Sequence, residues 1–146
     1  MDYQHQVFIE RPASAVFAYM DDVSREHEWQ PNIQEARKDP PGETAVGTRK
    51  TYVSEFMGRR IENTYVTAVF ERDRRAVYET TTDSVLRARA ELLWEPEAGG
   101  TRVTMKFRGK ATGPLRFVPA RVLEGVYKKE LENTLGLLKM RLESGA

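Results

Sequence analysis

Apolar and polar residues alternate strictly along two neighbouring segments of the chain. Leu86, Ala88, Ala90, Leu92 and Trp94 take every second position, with Arg87, Arg89, Glu91, Leu93 and Glu95 between them. After the turn-forming run Pro96-Glu97-Ala98-Gly99-Gly100, Val103, Met105 and Phe107 alternate with Arg102, Thr104, Lys106 and Arg108. A period of two buries one face of a strand and leaves the other in water. The pair predicts a β-hairpin with its apolar face on the core and its charges solvated.

The period changes at the C-terminus. Over residues 119–143, Leu123, Val126, Tyr127, Leu131, Leu135, Leu138 and Leu142 fall on one helical face, with Lys128, Glu132, Lys139 and Glu143 on the other. At ~1.5 Å per residue this helix is roughly 35 Å long, enough to cross a domain. Gly125 and Gly136 project to its polar side, where glycine costs about 1 kcal/mol against alanine.

Earlier signals are shorter. Val7, Phe8 and Ile9 make residues 3–10 a strand, and Pro12 and Ser14 open a helical stretch through Ala15, Val16, Phe17, Tyr19 and Met20. Asp21-Asp22 interrupts it, Ser24 is placed to cap a second short helix through Trp29, and Pro31 ends that one. Beyond 33–37 and the turn Asp39-Pro40-Pro41-Gly42, strands are expected over 48–56, 61–70 and 76–82, with reversals at Met57-Gly58-Arg59 and at Arg72-Asp73-Arg74-Arg75. Strands joined by short reversals, with segregated helices, give an α+β class with an antiparallel sheet. The long helix needs an apolar partner, and the inner face of the sheet is the one large enough.

Composition narrows the chemistry. The 146 residues fit a single domain over 1–146, with 40% hydrophobic and 31% charged residues. The 23 basic and 22 acidic side chains leave a net charge of +1, so no global field favours nucleic acid or an anionic membrane. With no cysteine and two histidines, a disulfide framework, a thiolate nucleophile and a tetrahedral metal centre are not expected. No apolar run approaches the ~18 residues that span a bilayer. The first residues lack a basic segment followed by an apolar one, so a cytoplasmic protein without membrane insertion is expected.

Several segments carry a resemblance. They are Ile9-Glu10-Arg11-Pro12-Ala13-Ser14-Ala15-Val16-Phe17, Trp29-Gln30-Pro31-Asn32, Val46-Gly47-Thr48-Arg49, Gly99-Gly100-Thr101-Arg102-Val103-Thr104 and Leu137-Leu138-Lys139-Met140-Arg141-Leu142-Glu143. In this order and spacing the chain resembles the polyketide cyclase/dehydratase branch of the START-like (SRPBCC) superfamily over nearly its whole length. The resemblance implies a helix-grip fold: a curved antiparallel sheet of about seven strands wrapped around a long C-terminal helix, with two short helices after the first strand. It also implies a hollow between sheet and helix in which many relatives hold an apolar small molecule. The matching residues are mostly structural, so function stays open.

Candidate residues follow from the inner face. Trp29 is placed either over a cavity mouth or as a packing residue pinning the short helices. Lys50, Tyr52, Ser54 and Phe56 share one face of their strand, which the family pattern turns inward. There Lys50 either orients a ligand's polar end or snorkels to the rim. Trp94, Met105, Phe107 and Tyr127 supply further wall, and Thr134 sits on the apolar face of the helix. Glu130 at its flank is either a carboxyl with a raised pKa or a solvated edge residue. His5 and His27 read as surface or structural. Arg87, Arg89, Arg102, Lys106, Arg108 and Lys110 form a basic stripe, read as a solvated face that discourages edge pairing.

The leading expectation is a binding module for a small hydrophobic or aromatic, lipid- or polyketide-like molecule, without cofactor or metal. Its site would be Trp29, Lys50, Tyr52, Phe56, Trp94, Met105, Phe107, Tyr127 and Glu130. One alternative is a polyketide cyclase or dehydratase, for which Glu130 with Tyr52 or Lys50 is the acid/base set on offer. The other is a protein-interaction module of the chaperone-activator type, which calls for a filled core.

Overall fold

The computed structural model describes residues 1–56 and 58–146; Met57, in the expected reversal after the third strand, lies outside the described residues. Strand β1 (Asp2–Ile9) leads to helix α1 (Ala13–Asp21), a 3-10 turn (Val23–Arg25) and the one-turn helix α2 (Glu26–Trp29). Six strands follow: β2 (Ile33–Asp39), β3 (Arg49–Phe56), β4 (Arg59–Glu71), β5 (Arg75–Thr80), β6 (Leu86–Glu97) and β7 (Gly100–Ala111). A second 3-10 turn (Gly113–Phe117) precedes the long helix α3 (Ala120–Glu143).

The seven strands form one curved antiparallel sheet in the order β1-β7-β6-β5-β4-β3-β2. Each strand from β2 onward pairs with its chain neighbour, and β1 closes on β7 with Tyr3 opposite Phe107 and Val7 opposite Val103. Helices α1 and α2 therefore carry the chain from one edge of the sheet to the other. In the predicted hairpin, Ala90 faces Phe107, Leu92 faces Met105 and Trp94 faces Val103. Arg87, Arg89, Lys106 and Arg108 are not buried, as the alternation requires. The basic stripe carries counter-ions: Arg89 with Glu79, Arg102 with Glu97 and Arg108 with Asp2. Gly109 pairs with Ala88, and a Cβ there would lie 2.1 Å from the Arg87 carbonyl oxygen. Only glycine fits so close a backbone approach.

Helix α3 packs its leucines on the inner face, with Leu123, Leu131, Leu135, Leu138 and Leu142 all buried. Val126, expected on this face, is 43% exposed because it lies on the flank, beyond the strip that the sheet covers. As an edge strand, β1 has outward backbone groups to satisfy, and side chains of α3 do so. Glu124 Oε1 accepts from the Asp2 amide at 2.7 Å, and Glu143 Oε2 accepts from the Glu10 amide at 2.9 Å. Lys139 Nζ donates to the Phe8 carbonyl at 2.6 Å. The helix is thus tied along the whole of β1.

The short elements differ from expectation in detail. Ser14 makes no capping bond in α1, where Pro12 holds the N-cap position. Asp22, not Ser24, caps the first 3-10 turn, its Oδ1 accepting from the Ser24 amide at 3.0 Å. The 3-10 turn Gly113–Phe117 shows no period in the sequence. It delivers Leu115 to a second small apolar cluster with Phe56, Ile61 and Leu123. Among the described residues no helix is long and apolar enough to cross a membrane.

Candidate functional site

A curved sheet and a straight helix enclose space that only large side chains can fill, and β6 offers Ala90 at its centre. A hollow of about 170 Å³ remains there. Ala90, Leu92 and Trp94 of β6 form its floor with Met105 and Phe107 of β7, and Tyr127, Leu131 and Thr134 of α3 form its roof. Phe17, Met20, Glu26 and Trp29 from the α1–α2 segment close one end, and Tyr52, Tyr65 and Tyr78 line the side formed by β3 to β5.

Of the residues singled out in the sequence, Trp29, Lys50, Tyr52, Trp94, Met105, Phe107, Tyr127 and Glu130 line this hollow. Phe56 does not. It sits in the second cluster with its ring stacked on Tyr127 at 5.3 Å between centroids. Tyr127 in turn stacks on Tyr3 at 6.3 Å, and Tyr3 on Phe107 at 5.3 Å. These near-parallel rings run from β3 across α3 to β1 and β7. Phe56 therefore acts on the hollow through Tyr127. Trp94 meets the edge of Phe17 at 5.3 Å and donates its indole N–H to Met20 Sδ at 3.3 Å. Neither His5 nor His27 lines the hollow.

Lys50 is not at a rim. It is 5% exposed and lies within a buried charge cluster. Its Nζ is 3.0 Å from Asp21 Oδ1 and 3.3 Å from the Tyr78 hydroxyl. Lys38 Nζ reaches the other Asp21 oxygen at 3.0 Å, and Thr44 donates to Asp21 from both its amide and its hydroxyl. One carboxylate at the end of α1 thus holds two lysines from β2 and β3. Burial alone would raise the Asp21 pKa, but Lys50, Thr44 and Lys38 outweigh it and hold it below the usual value. Burial likewise opposes the Lys50 ammonium, and the Tyr78 oxygen and Asp21 together hold its pKa above the ordinary value.

Glu26 is the second carboxyl at this end, 2% exposed. Gln30 Nε2 donates to its Oε2, and its Oε1 has no hydrogen-bond partner among the described residues. Burial, the largest influence, pushes its pKa up to about 7 against the opposing pull of Gln30 and Lys50. Glu130, half-buried where α3 meets the loop before β2, accepts from Asn32 Nδ2 at 2.6 Å. Burial raises its pKa, and the Asn32 bond works the other way.

Asp21, Glu26, Lys38 and Tyr78 escaped the sequence reading. Asp21 looks like a helix breaker beside Asp22, and Glu26 belongs to the charged run Ser24-Arg25-Glu26-His27-Glu28. The available signal was spacing: in a helical turn, Glu26 and Trp29 share a face.

A family model described as polyketide cyclase/dehydrase and lipid transport matches residues 2–143. Sequence comparison with curated proteins gives no match. Among solved structures, TTHA0849 from Thermus thermophilus is 16% identical with a TM-score of 0.83, each chain covered in full. A START superfamily protein from Mycobacterium smegmatis is 13% identical with a TM-score of 0.79, 99% of each chain being covered. The di-domain ARO/CYC protein BexL of the BE-7585A biosynthetic pathway is 17% identical with a TM-score of 0.75 over 95% of this chain and 48% of BexL. At these identities the likeness is one of fold.

Proposed function

The chain belongs to the polyketide cyclase/dehydrase and lipid transport family, and on that premise we propose that it binds a small, flat, largely apolar molecule in the hollow between sheet and α3. The observation that carries this reading is the hollow of about 170 Å³ with aromatic walls. Pockets for drug-sized ligands run to ~300–1,000 Å³, whereas a dry apolar cavity of about 150 Å³ takes one benzene. The free space suits one or two rings, and a longer ligand requires wall side chains to move. Because Asp21 already engages Lys50, the ligand meets no free ammonium at the closed end.

The test is binding itself. Naphthalene should quench tryptophan fluorescence saturably, since Trp29 and Trp94 both line the hollow, and Trp94→Ala should blunt the response. Native mass spectrometry of the purified protein should reveal any co-purifying small molecule. A protein that shows neither a saturable response nor a bound molecule does not bind in this way.

A second reading, a cyclase or dehydratase acting on a polyketide-like precursor, is favoured by Glu26. A carboxyl poised near 7 both gives and takes protons at neutral pH. Glu26 then joins Glu130 and Tyr52 as an acid/base candidate, and Lys50 leaves the set because it is committed to Asp21. The ARO/CYC designation of BexL, which shares the fold, is in keeping with this reading. Turnover of a poly-β-ketone analogue that disappears in Glu26→Gln supports it, and turnover unaffected by that change rules Glu26 out.

A further inference from the structure

The two ends of the sheet differ in what meets their backbone. Strands β1 and β2 are the edges, and an edge presents a row of backbone groups open to another strand. Along β1, Glu124 and Glu143 accept from the Asp2 and Glu10 amides, and Lys139 donates to the Phe8 carbonyl. Helix α3 therefore occupies that edge. Along β2 the backbone of residues 34–39 bonds to β3 and, among the described residues, to nothing else.

Strand β2 is also complementary to itself. Its seven residues, Ile33–Asp39, have Ala36 at their midpoint. When two copies of β2 lie antiparallel about a two-fold axis at Ala36, they overlap along their full length. Glu35 of each copy then stands opposite Arg37 of the other, Gln34 opposite Lys38, and Ile33 opposite Asp39. Opposite charges facing each other across a strand pair stabilise it, and like charges there destabilise it. Glu35 and Arg37 already bond along the strand at 2.7 Å, and both are about half exposed. Around the axis the four charges alternate in sign. A lysine on an edge ordinarily discourages pairing, but Lys38 turns inward, with a side chain 6% exposed, and bonds Asp21.

We propose that β2 is the interface of a two-fold dimer, in which two copies join edge to edge as one continuous antiparallel sheet. Because α3 occupies the β1 edge, the open edge has only another β2 to meet. That contact is isologous, so it closes after two copies instead of growing into a filament. One strand pair is a small contact beside the ~1,600 Å² of a standard interface, so the dimer is weak and depends on concentration.

Analytical ultracentrifugation of the full chain from about 10 µM to about 1 mM tests the interface. The wild-type protein should shift from monomer towards dimer as concentration rises. Glu35→Arg and Arg37→Glu each set like charges across the axis. Symmetry counts each change twice, so each should weaken association about tenfold. The two changes combined restore opposite charges and should return association to the wild-type strength. If one single variant folds poorly, the other decides. A wild-type protein that stays monomeric throughout overturns the inference. A dimer indifferent to the single changes, or one that the combined change fails to restore, is built on another surface and overturns it as well.

Discussion

Glu26 is sealed from water with one carboxyl oxygen unpartnered, so its charged form is costly in the fold and cheap in the unfolded chain. Unfolded, it titrates near 4.5, and folded near 7. Between these values the folded protein holds a proton that the unfolded chain has released. Stability therefore falls as pH rises through this window, by about 3 kcal/mol in total. Urea melts of wild type and Glu26→Gln at pH 5 and pH 8 should show the variant gaining relative to wild type by about that amount at the higher pH. An equal difference at both pH values would mean that Glu26 titrates normally. Asp21 has the opposite sign. Its lowered pKa gives stability that is present above the ordinary aspartate value and lost as pH falls through the depressed one. Asp21→Asn leaves two lysines, each with a side chain 6% exposed, without their counter-ion and should cost about 3–5 kcal/mol. A cost below about 1 kcal/mol would mean that water reaches the ammonium groups in the variant. At this scale the sequence was least informative. Lys50 meets Asp21 across 29 residues and Lys38 meets it across 17, and no local pattern announces such contacts. The aromatic walls were legible because alternation along β6 and β7 orients each side chain.

Elements were legible in proportion to their length. Twelve-residue strands and the 24-residue α3 display their periods, and β6, β7 and α3 lie within a few residues of expectation. Helix α2 has four residues, too few for a period, and no side chain caps it; Asp22, not Ser24, caps the 3-10 turn that precedes it. Irregular registers between Ile33 and Glu35 and between Thr67 and Val69 are set by pairing, so they leave no mark in one strand's sequence. Helix α3 allows two changes of opposite sign on one element. Gly125 and Gly136 face open space, with nothing within 4 Å of an added Cβ. Gly125→Ala and Gly136→Ala should each stabilise by about 1 kcal/mol, through helix propensity alone. Leu135→Ala and Leu138→Ala, at side chains 0% exposed, should each cost about 2–5 kcal/mol. Thermal melts in which the glycine changes destabilise would point to a surface on α3 that must stay bare.

At the scale of the whole molecule, the hollow is a stability cost that the fold carries. Side chains around a hollow of about 170 Å³ forgo packing contacts that a filled core would give them. The sheet could fill it. Ala90 is buried at the centre of β6, paired with Tyr78 on one side and Phe107 on the other, and faces the hollow. A leucine there adds three carbons, and at ~0.8 kcal/mol for each buried carbon it should stabilise by about 2 kcal/mol where space already exists. The same side chain occupies the volume a ligand would need. Ala90→Leu should therefore raise the melting temperature and weaken naphthalene binding together. Lower stability with binding intact would show that Ala90 packs against filled space, where insertion strains the core. Higher stability with binding intact would place the ligand elsewhere. Only the paired result, gain in stability with loss of binding, is what a hollow kept open for a ligand predicts.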